Sequence, residues 1–275
     1  MSGRLYIVGT PIGNLKDLSA RVCEILSQVD FVAAEDTRNS RKILNHLGIK
    51  KELVSYFEHN KTFKGQYLLE RLLTGESCAL VTDAGMPAIS DPGEDIVRMC
   101  HEQGIEAVVI PGPCAAICAM ALSGLPSRRF CFEGFLSSDS HERRNRISQL
   151  RNEERTTIFY EAPHRLRETI ADMLELWGNR RISIIKEITK LHETVWYTTL
   201  AQADSLLSDE DIRGEFVLVV EGATGKCMEM DDARIVELLQ ARMESGVRKS
   251  DAVKQIAIEF DLSKNRVYKL SNNLE

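Results

Sequence analysis

ALVTDAGMPAISDPG, residues Ala79 to Gly93, is the stretch whose reading decides the fold. A short apolar run, Ala79 to Val81, enters a segment that holds Gly85, Pro87, Pro92 and Gly93 beside Asp83, Ser90 and Asp91. Glycine and proline interrupt helix and strand ladders alike, while aspartate and serine favour turns, so the segment reads as a loop at the carboxyl end of a strand. In open α/β sheets, ligands bind in the crevice outside those ends. An ordinary strand-to-helix connection has the same composition. What sets this one apart is that other strands run into similar loops.

Working outward, Leu5 to Val8, Phe31 to Ala34 and Ala107 to Ile110 are further strand-type runs. Helical patterns separate them at Leu18 to Val29, Ser40 to Leu47, Leu68 to Leu73, Ile96 to Gln103 and Cys114 to Ser123. Apolar, β-branched runs alternating with helices predict an α/β lobe whose parallel sheet is covered on both faces. The strands end in Gly9-Thr10-Pro11-Ile12-Gly13-Asn14, Glu35-Asp36-Thr37-Arg38 and Pro111-Gly112-Pro113-Cys114. Together with the opening loop, four strand ends carry glycine, proline or acid-rich turns, and that clustering is the functional signal. Gly9 to Gly13 lacks the GxGxxG spacing and no GxxxxGK[ST] loop occurs, which argues against an ordinary Rossmann dehydrogenase or a P-loop NTPase.

At 275 residues the chain exceeds the usual single-domain length of ~100 to 200. The rhythm changes at Leu125-Pro126-Ser127, so the expected division is an α/β lobe over 1–125, a second α/β lobe over 126–223 and a helical tail over 231–275. In the second lobe, strands at Thr157 to Tyr160, Ile182 to Ile185, Val195 to Thr198 and Phe216 to Val220 have connections too short for repeated helical crossovers. They predict a mixed, largely antiparallel sheet, with helices at Leu166 to Trp177 and Leu200 to Leu207. Beyond a linker at Gly222 to Asp232, helical patterns at Ile235 to Met243 and Ser250 to Phe260 precede a break at Asp261-Leu262. Ser263 is the expected N-cap of a last helix, completing a helix-turn-helix pattern. Gly246 to Ser271 carries six basic residues against three acids, with Lys264, Arg266 and Lys269 on the second helix, where nucleic-acid readers place contacts. A plain helical packing module reads equally well.

The net charge of −6 argues against wholesale coating of nucleic acid but leaves room for a local basic surface. Arg128 to Arg155 contains seven arginines, no lysine and five acids. A solvated helix face explains that run as readily as an RNA-facing surface, although the planar guanidinium fork suits phosphate. The seven cysteines form no CxxC pair, and the six histidines do not pair at ligand spacing, so reduced thiols and no metal are expected. No secretion signal is apparent, and the most apolar helix, Ala115 to Leu122, falls far short of the ~20 residues that cross a bilayer. A cytoplasmic enzyme or regulator without membrane contact is the expectation.

Taken in order, GTPIGN (Gly9 to Asn14), EDTR (Glu35 to Arg38), DAGMPAISDPG (Asp83 to Gly93), PGPCAA (Pro111 to Ala116), EGF (Glu133 to Phe135), FYEAPHR (Phe159 to Arg165) and KEITK (Lys186 to Lys190) closely resemble the RsmI-type ribosomal RNA methyltransferases of the tetrapyrrole methylase superfamily. Each motif alone is weak, but seven in order cover nearly the whole chain. Met86 departs from the threonine usual in the family and Ile188 from the usual leucine. The first change removes a hydroxyl and puts in doubt any side-chain hydrogen bond expected there.

The resemblance implies a two-lobe tetrapyrrole-methylase-like fold, S-adenosylmethionine (AdoMet) as methyl donor and a homodimer. It also implies 2′-O-methylation of a cytidine ribose in the decoding region of the small-subunit (16S) ribosomal RNA, free or in the assembled subunit. By similarity, AdoMet should meet Pro11, Gly85, Met86, Ile89, Cys114, Ala115 and Tyr160, with backbone near Glu187. Asp36 matches the aspartate proposed for proton abstraction in related uroporphyrinogen methylases, although a helix N-cap is an equal reading for it. Arg38, Lys186 and Lys190 would hold phosphate or offset developing charge. Two other functions are weighed against this one: a small-molecule methylase acting on a tetrapyrrole or corrinoid precursor, and a ligand-sensing helix-turn-helix regulator.

Overall fold

The computed structural model describes residues 2–223, 231–260, 262 and 264–272. Asp261, the expected cap Ser263 and most of the expected linker, 224–230, lie outside the described residues. The chain divides into two compact units, Met1–Gly222 and Ala223–Glu275.

The first unit holds two five-stranded sheets. In the first, β1 (Arg4–Val8), β2 (Phe31–Ala34), β3 (Glu52–Ser55), β4 (Cys78–Val81) and β5 (Glu106–Ile110) lie in the order β3-β2-β4-β1-β5. Every pairing is parallel, so all five carboxyl ends, and the loops that leave them, share one edge. Helices α1 (Ala20–Gln28), α2 (Thr37–His46), α3 (Lys61–Leu73) and α4 (Glu94–Glu102) supply the crossovers. Their apolar stripes cover both faces: Leu68, Leu72, Ile96 and Cys100 pack on one, Val22, Leu26 and Leu44 on the other. The central strands β2 and β4 are buried at every residue, which is why they read as unbroken apolar runs. Strand β3 is not assigned from the sequence. It is an edge strand with only Val54 buried, so it carries neither a run nor a clear alternation.

Helix α5 (Ala115–Leu122) leaves the last strand of this sheet and packs on the other sheet, where Ala116, Ala119 and Met120 meet Ile158, Ile185, Val217 and Val219. That second sheet has the order β6-β7-β10-β8-β9, from β6 (Phe130–Phe135), β7 (Thr156–Glu161), β8 (Arg181–Lys186), β9 (Thr194–Thr199) and β10 (Phe216–Val220). Only β6 and β7 pair in parallel, and the other pairings are antiparallel, so the sheet is mixed and largely antiparallel. Strand β6 is absent from the sequence reading because Gly134, at φ +65°, interrupts it with a bulge and it buries one residue. Helices α6 (Ser140–Gln149), α7 (Leu166–Trp177) and α8 (Leu200–Leu206) cover its other face around Phe159, Leu166, Ile184 and Leu218. Trp177 donates its indole N–H to the Ile147 carbonyl at 2.6 Å, which fixes α7 against α6.

The arginines of α6 turn out to be engaged within the fold. Arg143 is buried and donates to Asp172 at 2.9 Å and Glu168 at 3.2 Å, Arg144 pairs with Glu175 at 2.6 Å, and Arg146 pairs with Glu133 at 2.7 Å. The expected RNA-facing arginine surface therefore contracts, because these guanidinium groups already hold carboxylates of α7 and β6.

The second unit holds α9 (Asp232–Glu244), α10 (Lys249–Glu259) and α11 (Lys264–Ser271). Asp231 caps α9 by accepting the Arg234 amide at 2.7 Å. Ile235, Leu239, Ala252, Val253, Ile256 and Val267 form a core of its own.

Candidate active site

Two loops meet first. Thr10, just beyond β1, and Gly85, beyond β4, exchange backbone hydrogen bonds: the Thr10 amide donates at 2.9 Å and the Gly85 amide at 3.1 Å. Gly85 sits at φ +89°, where a side chain would be strained. Gly9 and Gly112 approach so closely that a Cβ on Gly9 would lie 2.6 Å from the Gly112 Cα. Glycine is thus a steric requirement of the loop contact. The Met86 sulfur accepts the Gly112 amide at 3.3 Å, so the thioether supplies a hydrogen-bond acceptor within the loop contact.

Between these loops and the second sheet lies a cavity of about 400 Å³, within the size range of small-molecule sites. Apolar parts of its lining come from Ile12, Met86, Ile89, Cys114, Ala115 and Ile188. Tyr160, from β7, closes it: its hydroxyl oxygen accepts the Ala116 amide at 3.1 Å, one of the unpaired donors at the start of α5. Burial pushes the Tyr160 phenol up to about 12, which keeps its proton available for donation. Phe132 and Phe135 hold the ring edge-on and tilted, at centroid distances of 4.9 and 5.5 Å.

Three carboxylates line the cavity from the first lobe: Glu35, Asp83 and Asp91. Glu35 accepts the Thr82 hydroxyl at 2.6 Å, while Asp83 accepts the Asp36 amide at 3.2 Å and the Asn39 side chain at 3.0 Å. Burial, with the charge of Glu35 next in weight, pushes Asp91 up to about 6. A lining that combines carboxylates with apolar side chains suits a ligand that carries positive charge, hydroxyl donors and a flat hydrophobic part. AdoMet has all three, and these residues fit it.

Of the residues expected to meet the cofactor, Gly85, Met86, Ile89, Cys114, Ala115 and Tyr160 line the cavity. Pro11 and Glu187 do not. Pro11 is buried inside the loop, and the Glu187 carboxylate turns away to accept Lys190 Nζ at 2.8 Å and the Glu215 amide at 2.9 Å. Glu187 and Thr189 hold positive φ, at 51° and 67°, so the KEITK turn carries backbone strain typical of functional loops. Its partners enforce it: Gly214 leaves room for the Glu187 carboxylate, and the Lys190 stem lies over Gly13. Lys190 also pairs with Glu215 at 2.8 Å, while Lys186, the last residue of β8, is half-buried.

Asp36 lies beside the cavity, outside its lining. It caps α2 by accepting the Arg38 amide at 2.8 Å, and the Arg38 side chain grips both its oxygens. The hydrogen bonds from Arg38 hold the Asp36 carboxyl down at about 2. The cap that the sequence allowed is therefore realised, and Arg38, 87% exposed, is the solvent-facing half of the pair. Sequence reasoning did not single out Asp91, Glu35 or Phe135 as site residues. The first two stand inside quoted motifs, and only their burial together reveals the anionic lining. Glu161, buried in FYEAPHR and also lining the cavity, accepts the Thr169 hydroxyl at 2.6 Å and pairs with Arg165 at 2.9 Å.

Residues 4–204 match the family of tetrapyrrole (corrin/porphyrin) methylases. Curated relatives carry the name ribosomal RNA small subunit methyltransferase I. The chain is 43% identical to the one from Synechocystis sp. over 275 residues, 99% of each chain. It is 42% identical to that of Halalkalibacterium halodurans over 98% of this chain and 94% of the relative. Among solved structures, diphthine synthase superposes with TM-score 0.62 at 16% identity over 80% of this chain and 90% of its own. A Thermus thermophilus uroporphyrin-III C-methyltransferase complexed with S-adenyl homocysteine superposes with TM-score 0.55 at 16% identity, over 80% of this chain and 97% of its own. At such identities the structural likeness is one of fold.

Proposed function

We propose, for a chain that belongs to the tetrapyrrole (corrin/porphyrin) methylase family, that it transfers a methyl group from AdoMet to the 2′-oxygen of a cytidine ribose in small-subunit ribosomal RNA. The observation that carries the reading is the cavity, lined by carboxylates and apolar side chains from the loops of both sheets. Gly85, Met86, Ile89, Cys114, Ala115 and Tyr160 would hold AdoMet, with Glu35, Asp83 and Asp91 facing its charged and hydroxyl groups. Bound there, AdoMet supplies an electrophilic methyl group on a positively charged sulfur.

The chain's own work is positioning and proton removal, since a ribose hydroxyl is a weak nucleophile near neutral pH. Arg38, Lys186 and Lys190 take phosphate. When Arg38 turns to phosphate, the Asp36 carboxylate loses the partner that depresses its basicity and can receive the hydroxyl proton. Lobe limits of 1–125 and 126–223, a cytoplasmic location and a homodimer belong to the same reading. The tail, 231–275, adds basic contacts through Lys264 and Lys269, which makes affinity fall with salt.

Label from tritiated AdoMet tests the assignment. Transfer to small ribosomal subunits supports it; transfer to a tetrapyrrole, or to neither, replaces it with a small-molecule methylase or a ligand-sensing regulator. Asp36→Ala should still bind AdoMet while losing turnover on subunits, and retained turnover excludes the base role.

A further inference from the structure

We propose that the aromatic face at the start of α3, formed by Phe57, Phe63 and Tyr67, is a stacking platform for unpaired RNA bases beside the methylated nucleotide. The inference rests on the functional reading above and adds a second surface to it. Among the described residues, three of the seven exposed aromatics fall within these eleven positions, and Phe63 is 77% exposed. Burial in this fold does not explain Phe63, while Phe57 and Tyr67 each leave more than a third of their surface open. The core face of α3 is made by Gly65, Leu68 and Leu72, on the opposite side of the helix.

Topology puts the platform next to the cavity. Strand β3 runs parallel to β2, so the turn that carries Phe57 leaves the same sheet edge as EDTR and the cavity loops. Lys61 Nζ reaches Asp95 at 3.3 Å, and Asp95 stands in the first turn of α4, four residues after the cavity residue Asp91. On the β2 side, Asn39 binds the cavity residue Asp83 at 3.0 Å, which fixes the first turn of α2 at the rim.

The charges around the aromatics suit a polyanion. Lys64 Nζ stands 5.1 Å from the Tyr67 ring centroid and 6.0 Å from that of Phe63. On the other face of the sheet, the first turn of α2 leaves the same edge and exposes Arg38. Of the nearby acids, Glu58 and Asp95 pair with Lys61, Asp95 also with Arg98, and Asp36 with Arg38. Exposed rings interleaved with cations are how sequence-tolerant single-strand binders hold bases and backbone together. A protein partner would be served by the rings alone. Lys64, set over two of the rings, favours RNA.

Steady-state kinetics of the full chain on small ribosomal subunits that lack the modification test the platform. Phe63 is too exposed for its replacement to threaten folding, so the variants are Phe63→Ala, Phe63→Leu and Phe63→Tyr. With Ala and Leu, the KM for subunits should rise about tenfold at unchanged kcat, because stacking is lost equally from ground and transition states. Tyr should restore the wild-type KM, and S-adenosylhomocysteine affinity by calorimetry should stay constant throughout. If Leu serves as well as Phe, or if Ala leaves KM unchanged on an active wild-type protein, the platform is wrong while the functional reading stands. A Phe63→Ala variant that splits a dimer in sedimentation would make the face a protein interface and overturn the proposal. Wild-type protein that transfers no label to subunits removes both.

Discussion

Asp91→Asn is the perturbation whose outcome follows most closely from the geometry of the cavity. Burial and the nearby charge of Glu35 raise the Asp91 carboxyl from its usual 3.8 to about 6, against a hydrogen bond from Thr82 that favours the ionised form. Carrying that charge at neutral pH costs the folded chain up to about 3 kcal/mol, and partial solvent access lowers the figure to about 1–3 kcal/mol. Below pH ~4 the carboxyl is protonated in folded and unfolded chains alike, and wild type and variant should differ little. As pH rises toward about 6, the unfolded chain ionises while folded Asp91 resists, so wild type loses stability that the variant keeps. Urea unfolding of both proteins at pH values near 3 and 8, below and above both of these pKa values, reads the difference, and Asp91→Asn should be the more stable of the two only at the higher pH. Calorimetry adds the functional side. AdoMet, a cation, should bind Asp91→Asn about tenfold more weakly than wild type at the higher pH, a difference of about 1.4 kcal/mol, and equally at the lower. A gap in stability that does not change with pH would refute the assignment of a strained carboxylate to this cavity.

Other substitutions test the neighbouring contacts. Tyr160→Phe strands the Ala116 amide at the start of α5 and should cost about 1–3 kcal/mol in thermal unfolding, with weaker S-adenosylhomocysteine binding. Gly9→Ala places a Cβ 2.6 Å from Gly112 Cα, so the loops must part. Stability should fall by about 1–3 kcal/mol, and calorimetry should find ligand binding lost. Arg143→Ala leaves Asp172 and Glu168 with an absent partner; since Arg144 still reaches Asp172, the loss should sit near about 3 kcal/mol. The salt dependence of RNA binding by Arg143→Ala should match wild type, because a guanidinium held inside the fold releases no counterions.

The fold was legible wherever burial is uniform along an element. Strands β2 and β4 announce themselves as apolar runs because every residue is covered, and the four functional loops follow from glycine, proline or acid-rich turns at the strand ends. Strands β3 and β6 were not legible, since an edge position and a bulge erase the periodicity on which such readings depend. The site shows the same division. Residues whose role is backbone shape or apolar contact, such as Gly85 and Ala115, were found through their motifs and do line the cavity. Residues whose role depends on which partner their side chain pairs with were not. Nothing in EDTR says that Arg38 clamps Asp36, nothing in KEITK says that Glu187 turns toward Glu215, and nothing in the Arg128 to Arg155 run says that α7 supplies its carboxylates. Charge patterns along a chain report what is available; only the packed structure reports what is already paired.

The most direct measurement is the identity of the methylated nucleoside. Small ribosomal subunits lacking the modification are incubated with the protein and methyl-labelled AdoMet, and their RNA is digested to nucleosides and resolved by mass spectrometry. The account expects label in 2′-O-methylcytidine from a single position. Label on a base, or none on RNA while a tetrapyrrole accepts it, would contradict it.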